Sequence, residues 1–585
     1  MKKPFFLFFM LLLYLGVFSQ EKKQDTVKTE VVNVVTKYNP KIADAKKIRV
    51  NPTIKLLEKD ERKKLEYTIY SAPVASTFVP KSGAIKGIDV GVKERIYKNY
   101  IAAGYGNFAS PFFETFLHHN TRFQNEFGFH AKYFASEQNV QNTLLNSNFS
   151  NFNIGAFYKK EERYFDWKTS IYSEKNRYNW FGLPDLPFSE FTLNTINEEQ
   201  VYTYYKIVGD VKFEDSYIDY GKLNLSYYTD QYQSAELYTI FSTKLDFPLG
   251  FLYSRLRDIS VKTDIEYLNG KFRQSYSDFN PINYNTLTLS LHPEYKDKYK
   301  NIHFKVGLKL YSSIDTENEL TNNLVIPDIS IQTSFFKNLV TLYGGMTGNL
   351  HTNTYKGFSE DNPYVSPTLF VTQTLEKSNY FVGLSGKITN HLSYHIKASS
   401  ITEEDKPLFI RNASKSDGSN TVVNGFTILG YEYGNSFSVF YDDVKTNSLF
   451  AEFEYDFSKN LVFKTQGVYN QFTLNKALEN WNLPTTEVSF ISTYKNNKWF
   501  TTSTIFYVSE RKDVLYNGQF PSSLGGVQTI NSFVDVNLNG GYHFNDKFSA
   551  FLKLNNILNT KYQRFANFDT QGFQVLGGIT YKFDF

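Results

Sequence analysis

The chain contains no cysteine among its 585 residues. It therefore offers no disulfide, no thiolate metal ligand and no site for lipid attachment, even in an oxidising compartment. No apolar run beyond the N-terminus approaches the ~20 residues that a membrane helix needs. Neither sign of charge is in large excess: 63 Lys and Arg against 59 Asp and Glu leave a formal +4, which disfavours nucleic acid as a partner. Chemistry-bearing clusters are also missing. His118 and His119 are adjacent and on a strand face opposite sides. His391 and His395 share a face but stand ~13 Å apart at strand rise, too far for one ion. No Gly-rich phosphate loop followed by Lys-Ser/Thr occurs. Acidic pairs such as Asp442-Asp443 and Glu403-Glu404 read as solvated turns or loops. The sequence thus points to no catalytic residue, cofactor or metal, and not to an enzyme.

What the chain has in abundance is aromatic side chains. Phe (55), Tyr (44) and Trp (4) make up 18% of residues, an excess that suits the girdles of a transmembrane β-barrel. An aromatic-rich soluble propeller or sandwich is the alternative on composition alone. The first residues indicate export. Lys2 and Lys3 form a basic start, Pro4–Phe18 an apolar core, and Val17-Phe18-Ser19 a cleavage site before Gln20, so residues 1–19 read as a signal peptide. Residues 20–96 hold 17 basic and 10 acidic side chains, a net +7, whereas residues 97–585 hold 44 and 49, a net −5. Prolines and weak strand patterning make 20–96 a short basic periplasmic extension, extended or partly disordered, with a possible course into a lumen.

From Tyr97 the pattern becomes hairpin after hairpin. In the last strand Phe573, Val575, Gly577, Ile579, Tyr581, Phe583 and Phe585 fall on one face, and Gln574, Leu576, Gly578, Thr580, Lys582 and Asp584 on the other. Ile302–Leu310 and Leu449–Phe457 alternate in the same way. Apolar-out, polar-in alternation over nine or more residues is what lipid outside and water inside require; strands of soluble sandwiches are usually about five or six residues long. Short turns near Glu161-Glu162, Lys337-Asn338, Thr389-Asn390, Ser458-Asn460, Asn496-Asn497 and Asn545-Asp546 alternate with longer segments at 175–199, 352–376, 403–424, 511–529 and 557–572. Short periplasmic turns and long outer loops are the barrel arrangement. The expectation is an all-β, closed antiparallel barrel over 97–585 with about 22 strands (range 16–24) and both termini periplasmic, integral to the outer membrane and in contact with its lipid. The strands between Asn424 and Asp443 are the least defined.

At the C-terminus, Phe548–Leu558 (FSAFLKLNNIL), Asn559-Thr560-Lys561-Tyr562 and Gln571-Gly572 leading into the last strand resemble the end of a TonB-dependent receptor barrel. The overall style, rich in Phe, Tyr, Asn and Lys, resembles proteins of Bacteroidetes. Gly578, Tyr581, Phe583 and the terminal Phe585 resemble the β-signal read by the barrel-assembly machinery of Gram-negative bacteria. The resemblance departs upstream: residues 20–96 are roughly half of what the family's globular plug takes and show none of its motifs. Thr29–Lys37, with Val31, Val32, Val34 and Val35, resembles a TonB box, a peptide that adds a strand to TonB; a tether entering the lumen is the other reading.

Two functions follow. The resemblance implies uptake or passage of a solute or polymer across the outer membrane, coupled to TonB. The missing plug and the opposite charges of extension and barrel suit instead a non-transporting subunit that anchors or docks an envelope machine. The loop 175–199 carries Trp180, Phe181, Phe188 and Phe191, an aromatic cluster suited to capping the barrel or holding a ligand.

Overall fold

The computed structural model describes residues 97–585 apart from 122–124, 251–258, 279, 337–338 and 518–521. The signal peptide, the extension 20–96 and the TonB-box-like valines lie outside the described residues.

Twenty-two antiparallel strands, each hydrogen-bonded to the next, run from Asn99–Gly106 to Gln574–Phe583, and these two pair with each other to close the sheet. Closure removes the edge whose unpaired N–H and C=O groups hydrocarbon would not tolerate. No helix among the described residues is long and apolar enough to cross a membrane. Their faces follow the alternation. Val306, Leu308, Leu449, Phe453, Tyr455, Ile579 and Tyr581 are exposed on the outer wall. The intervening residues pair across the lumen face, as Lys305 does with Asp328 at 2.7 Å and Lys464 with Glu452 at 2.9 Å.

One rim carries short connections, such as those between Tyr299 and Ile302 and between Thr389 and Leu392. The opposite rim carries the long ones: 137–148, 180–198, 352–373, 412–436, 475–485, 509–532 and 556–573. With an even strand number, the first strand begins and the last ends on the short-turn rim.

The segment 403–424, read as a loop, is corrected by the structure. Leu392–Arg411 and Phe437–Asp456 are single strands of 20 residues each, and the loop between them is 412–436. An apolar band ~25 Å tall is crossed by about ten tilted residues, so about half of a 20-residue strand would extend beyond such a band. Glu403–Arg411 therefore lacks the lipid-facing alternation, and a bulge between Glu403 and Lys406 further disrupts its pattern. The turn at Gly434-Asn435 lies inside the loop.

Candidate functional site

The long connections do not stand free above the barrel; they fold over its mouth and share one core. Two short helices and three small hairpins give them local structure. Helix α1 (Glu190–Thr195) starts at Ser189, whose hydroxyl accepts the Thr192 N–H at 3.1 Å. Helix α2 (Tyr355–Asp361) starts at Thr354, whose hydroxyl accepts the Gly357 N–H at 2.9 Å. Helices this short do not persist alone, so packing must hold them. The hairpin Val422–Val423/Phe426–Thr427 turns through Asn424 and Gly425, both at positive φ, the Asn-Gly chemistry that a tight hairpin turn favours. The other two pair Arg511–Tyr516 with Leu524–Ile530 and Gln563–Phe565 with Phe568–Asp569.

Tyr355, Phe358, Val365, Leu369 and Val371 of the 352–373 loop are buried in a cluster with Leu145, Phe181, Ile196, Ile428, Tyr433, Phe565 and Phe568 from four other connections. Wall residues Tyr202, Tyr228, Leu268, Phe272 and Tyr284 complete it. A satellite cluster joins Leu408 of the wall to Trp481 and Val514. Polar ties lock loop to loop. Trp180 Nε1–H donates to the Tyr364 carbonyl at 3.1 Å, and the Asn435 amide donates to the Trp180 carbonyl at 2.6 Å. The Asn567 amide donates to the Leu183 carbonyl at 3.1 Å, and Ser189 N–H to the Gly418 carbonyl at 2.9 Å. The result is a cored cap that spans the mouth.

The base of α2 is held by two carboxylates on the wall. Glu236, 2% exposed, accepts the N–H groups of Tyr355 (2.6 Å) and Lys356 (3.2 Å) and the hydroxyl of Tyr284 (2.8 Å). Anionic acceptors at a helix start make strong bonds. Asp230 accepts the Tyr355 hydroxyl at 2.8 Å and the Gln200 amide at 3.3 Å. Burial and the Asp230 charge push the Tyr355 hydroxyl far above its ordinary range, so it remains a donor. At the other side of the cap, Asp513 of the 511–530 hairpin accepts the Arg411 N–H at 3.1 Å. Burial raises its carboxyl above the usual range although the N–H donors of Val514 and Arg411 oppose this.

Trp180 and Phe181 are buried in the cap and Phe188 packs half-buried against Tyr433 at 6.3 Å, whereas Phe191 is 71% exposed and stands apart. Gly578 lies in the closing seam opposite Gly104, with Tyr581 and Phe583 5.7 Å apart and Phe585 exposed. The sequence reading missed Asp230, Glu236 and α2. A signal was present: Tyr202, Tyr204 and Tyr228 put aromatics on lumen-facing positions, where polar residues are the rule. Such a break marks the place where the wall meets the cap.

Among the cavities of the described residues, two have polar linings that join wall to cap. One, of about 730 Å³, sits between the cap and the wall near the closing seam and is lined by Phe149, Asn151, Asn153, Tyr178, Asp535 and Arg564 among others. The second, of about 560 Å³, is lined by Lys168, Glu174, Lys206, Lys356 and Glu360. No group of three or more His, Asp or Glu placed to hold a metal occurs among the described residues.

No protein-family profile and no curated protein matches the chain. Solved structures do. The ferripyoverdine receptor of the outer membrane of Pseudomonas aeruginosa, bound to ferripyoverdine, superposes with a TM-score of 0.59 at 12% identity, covering 84% of this chain and 72% of that one. A mutant of the ferric enterobactin receptor of the same bacterium gives 0.58 at 10% identity, covering 84% and 81%. The siderophore receptor PirA of Acinetobacter baumannii gives 0.62 at 11% identity, with the same coverage. The fold, a closed 22-stranded antiparallel barrel, is the one these receptors share.

Proposed function

We propose that this chain passes a solute or polymer across the outer membrane, with the loop cap as its outer gate and TonB as its energising partner. The observation that carries the reading is the closed 22-stranded barrel, which matches receptors named for siderophores over most of its length. In this reading the short-turn rim and both termini face the periplasm, the capped rim faces outward, and Val31, Val32, Val34 and Val35 form the segment that adds a strand to TonB. A polar, ion-paired lumen beneath a cored cap suits a passage opened on demand. The barrel supplies no chemistry to its cargo. The docking-subunit reading draws no support from neighbours described as receptors. The terminal aromatic strand would be delivered by the barrel-assembly machinery during biogenesis.

Because the chain lacks cysteine, a Val32→Cys variant carries a single thiol. In cells it is expected to form a disulfide with a cysteine placed on the strand-accepting edge of TonB, and Thr77→Cys is not. Absence of that bond would remove TonB from the account. Stoichiometric co-purification of a different envelope protein, lost on deleting 29–37, would replace passage by docking.

A further inference from the structure

The chamber of about 730 Å³ between cap and wall has a lining with a definite chemical bias. On the strand Phe149–Glu161, Phe149, Asn151 and Asn153 lie two residues apart and all face the chamber, as the period of a strand demands. Asn148 and Asn179 continue the row of amides at the rim, and Asn555 faces it from the seam side. The aromatic rings form a row of their own. Phe134, Phe149 and Tyr178, on three successive strands, have centroids 5.7 and 6.4 Å apart and are only half-buried. Their remaining ring surface borders the chamber.

Some of this polar lining is committed and some is not. Asn151 donates to the Tyr178 hydroxyl at 2.9 Å and holds that ring in place. Asn153 makes no side-chain hydrogen bond among the described residues. Asp535, 5% exposed, accepts the Tyr562 hydroxyl at 2.7 Å through one carboxylate oxygen, while its other oxygen has no partner. A buried, unpartnered carboxylate oxygen is costly, so a hydroxyl or N–H donor that reaches it would be favoured there. The charges nearly balance: Lys132, Lys553 and Arg564 stand against Asp535 and Asp569.

We propose that this chamber binds a neutral oligosaccharide, which makes a polyhydroxylated chain the cargo of the passage; the proposal rests on the transport reading. Sugar hydroxyls donate and accept at once, which suits planar amides, a carboxylate and a guanidinium side by side. The apolar C–H faces of sugar rings suit the half-exposed aromatic row. An anionic metal chelate would need a clear excess of cations, which the lining lacks. A peptide in extended form would gain most from a free strand edge, and the closed wall offers it none.

The test is calorimetry on the full-length protein in detergent. The probes are neutral hexasaccharides of glucose, mannose, xylose and N-acetylglucosamine, with hexaalanine and ferric citrate beside them. At least one hexasaccharide is expected to bind, and Asn153→Ala and Phe149→Ala are each expected to weaken it tenfold or more. Asp535→Asn is expected to do the same. Leu478→Ala, on the exposed face of the cap, is expected to leave it unchanged. Heat-modifiable gel migration shows that each variant is folded, and if Asp535→Asn is not, Asn153→Ala decides. Binding of no hexasaccharide, binding untouched by the chamber variants, or chamber-dependent binding of hexaalanine or ferric citrate instead would each overturn the proposal. Hexasaccharide binding without uptake by cells that carry TonB would remove the passage reading and leave this one standing. Uptake of another solute without saccharide binding would do the reverse.

Discussion

Glu236 places a carboxyl group in a nearly dry position and satisfies it with two backbone N–H groups and a tyrosine hydroxyl. Glu236→Gln keeps the size but replaces one acceptor oxygen by a donor that faces N–H groups. Bonds to charged acceptors contribute about 1.5–3 kcal/mol, so α2 should undock roughly 30-fold more readily for a loss of ~2 kcal/mol. Hydrogen exchange at the amides of 355–361 measures this directly, and unchanged rates would show that the carboxylate does not hold the helix. At the seam, a Cβ on Gly578 would lie 2.3 Å from the Phe551 ring and 2.5 Å from the Ala103 carbonyl oxygen. Gly578→Leu should therefore abolish the heat-modifiable folded band. Adding Phe551→Ala should not restore it, because the backbone oxygen remains. Phe585 is different: it is 78% exposed and its ring neighbours are Phe583 and His119. Deleting it should lower the amount of assembled barrel in membranes while leaving the melting temperature of the assembled fraction within a few degrees, if it serves recognition during assembly.

At the level of elements, the 511–530 hairpin docks through a carboxylate that burial has raised above its ordinary range. A docked state with the higher pKa binds more protons than the undocked one, so its docking should tighten as pH falls from the raised value toward the ordinary one. Slower hydrogen exchange in 511–516 and 524–530 at the acidic end of that window is the expected result; faster exchange would reverse the sign. The strands themselves were legible because lipid on one side and water on the other leave a period of two, as in Ile302–Asp315. That legibility ends where the strand leaves the bilayer. Glu403–Arg411 has a pairing partner but no lipid face, so nothing in its pattern distinguishes strand from loop. The helix α2 was illegible for another reason. Its seven residues are held by Glu236 and Asp230, more than a hundred residues away, and no local propensity reports such a partner.

The whole molecule combines a wall that sequence periodicity specifies with a cap that it does not. The cap's ties join positions far apart along the chain, Trp180 to Tyr364 and Asn567 to Leu183, and its core draws on five connections and the wall. Such a structure opens by releasing several loops together rather than one at a time. The absence of cysteine allows the closure to be read in intact cells with a membrane-impermeant maleimide and two single-thiol variants. Phe426→Cys sits at the exposed tip of the cap, and Gln466→Cys sits opposite Glu452 on the lumen face of the wall. Rapid labelling is expected at 426 and at least tenfold slower labelling at 466, which Glu236→Gln accelerates. Labelling at 466 as fast as at 426 in the unaltered barrel, or no labelling at 426, would contradict a cap that closes the outer mouth.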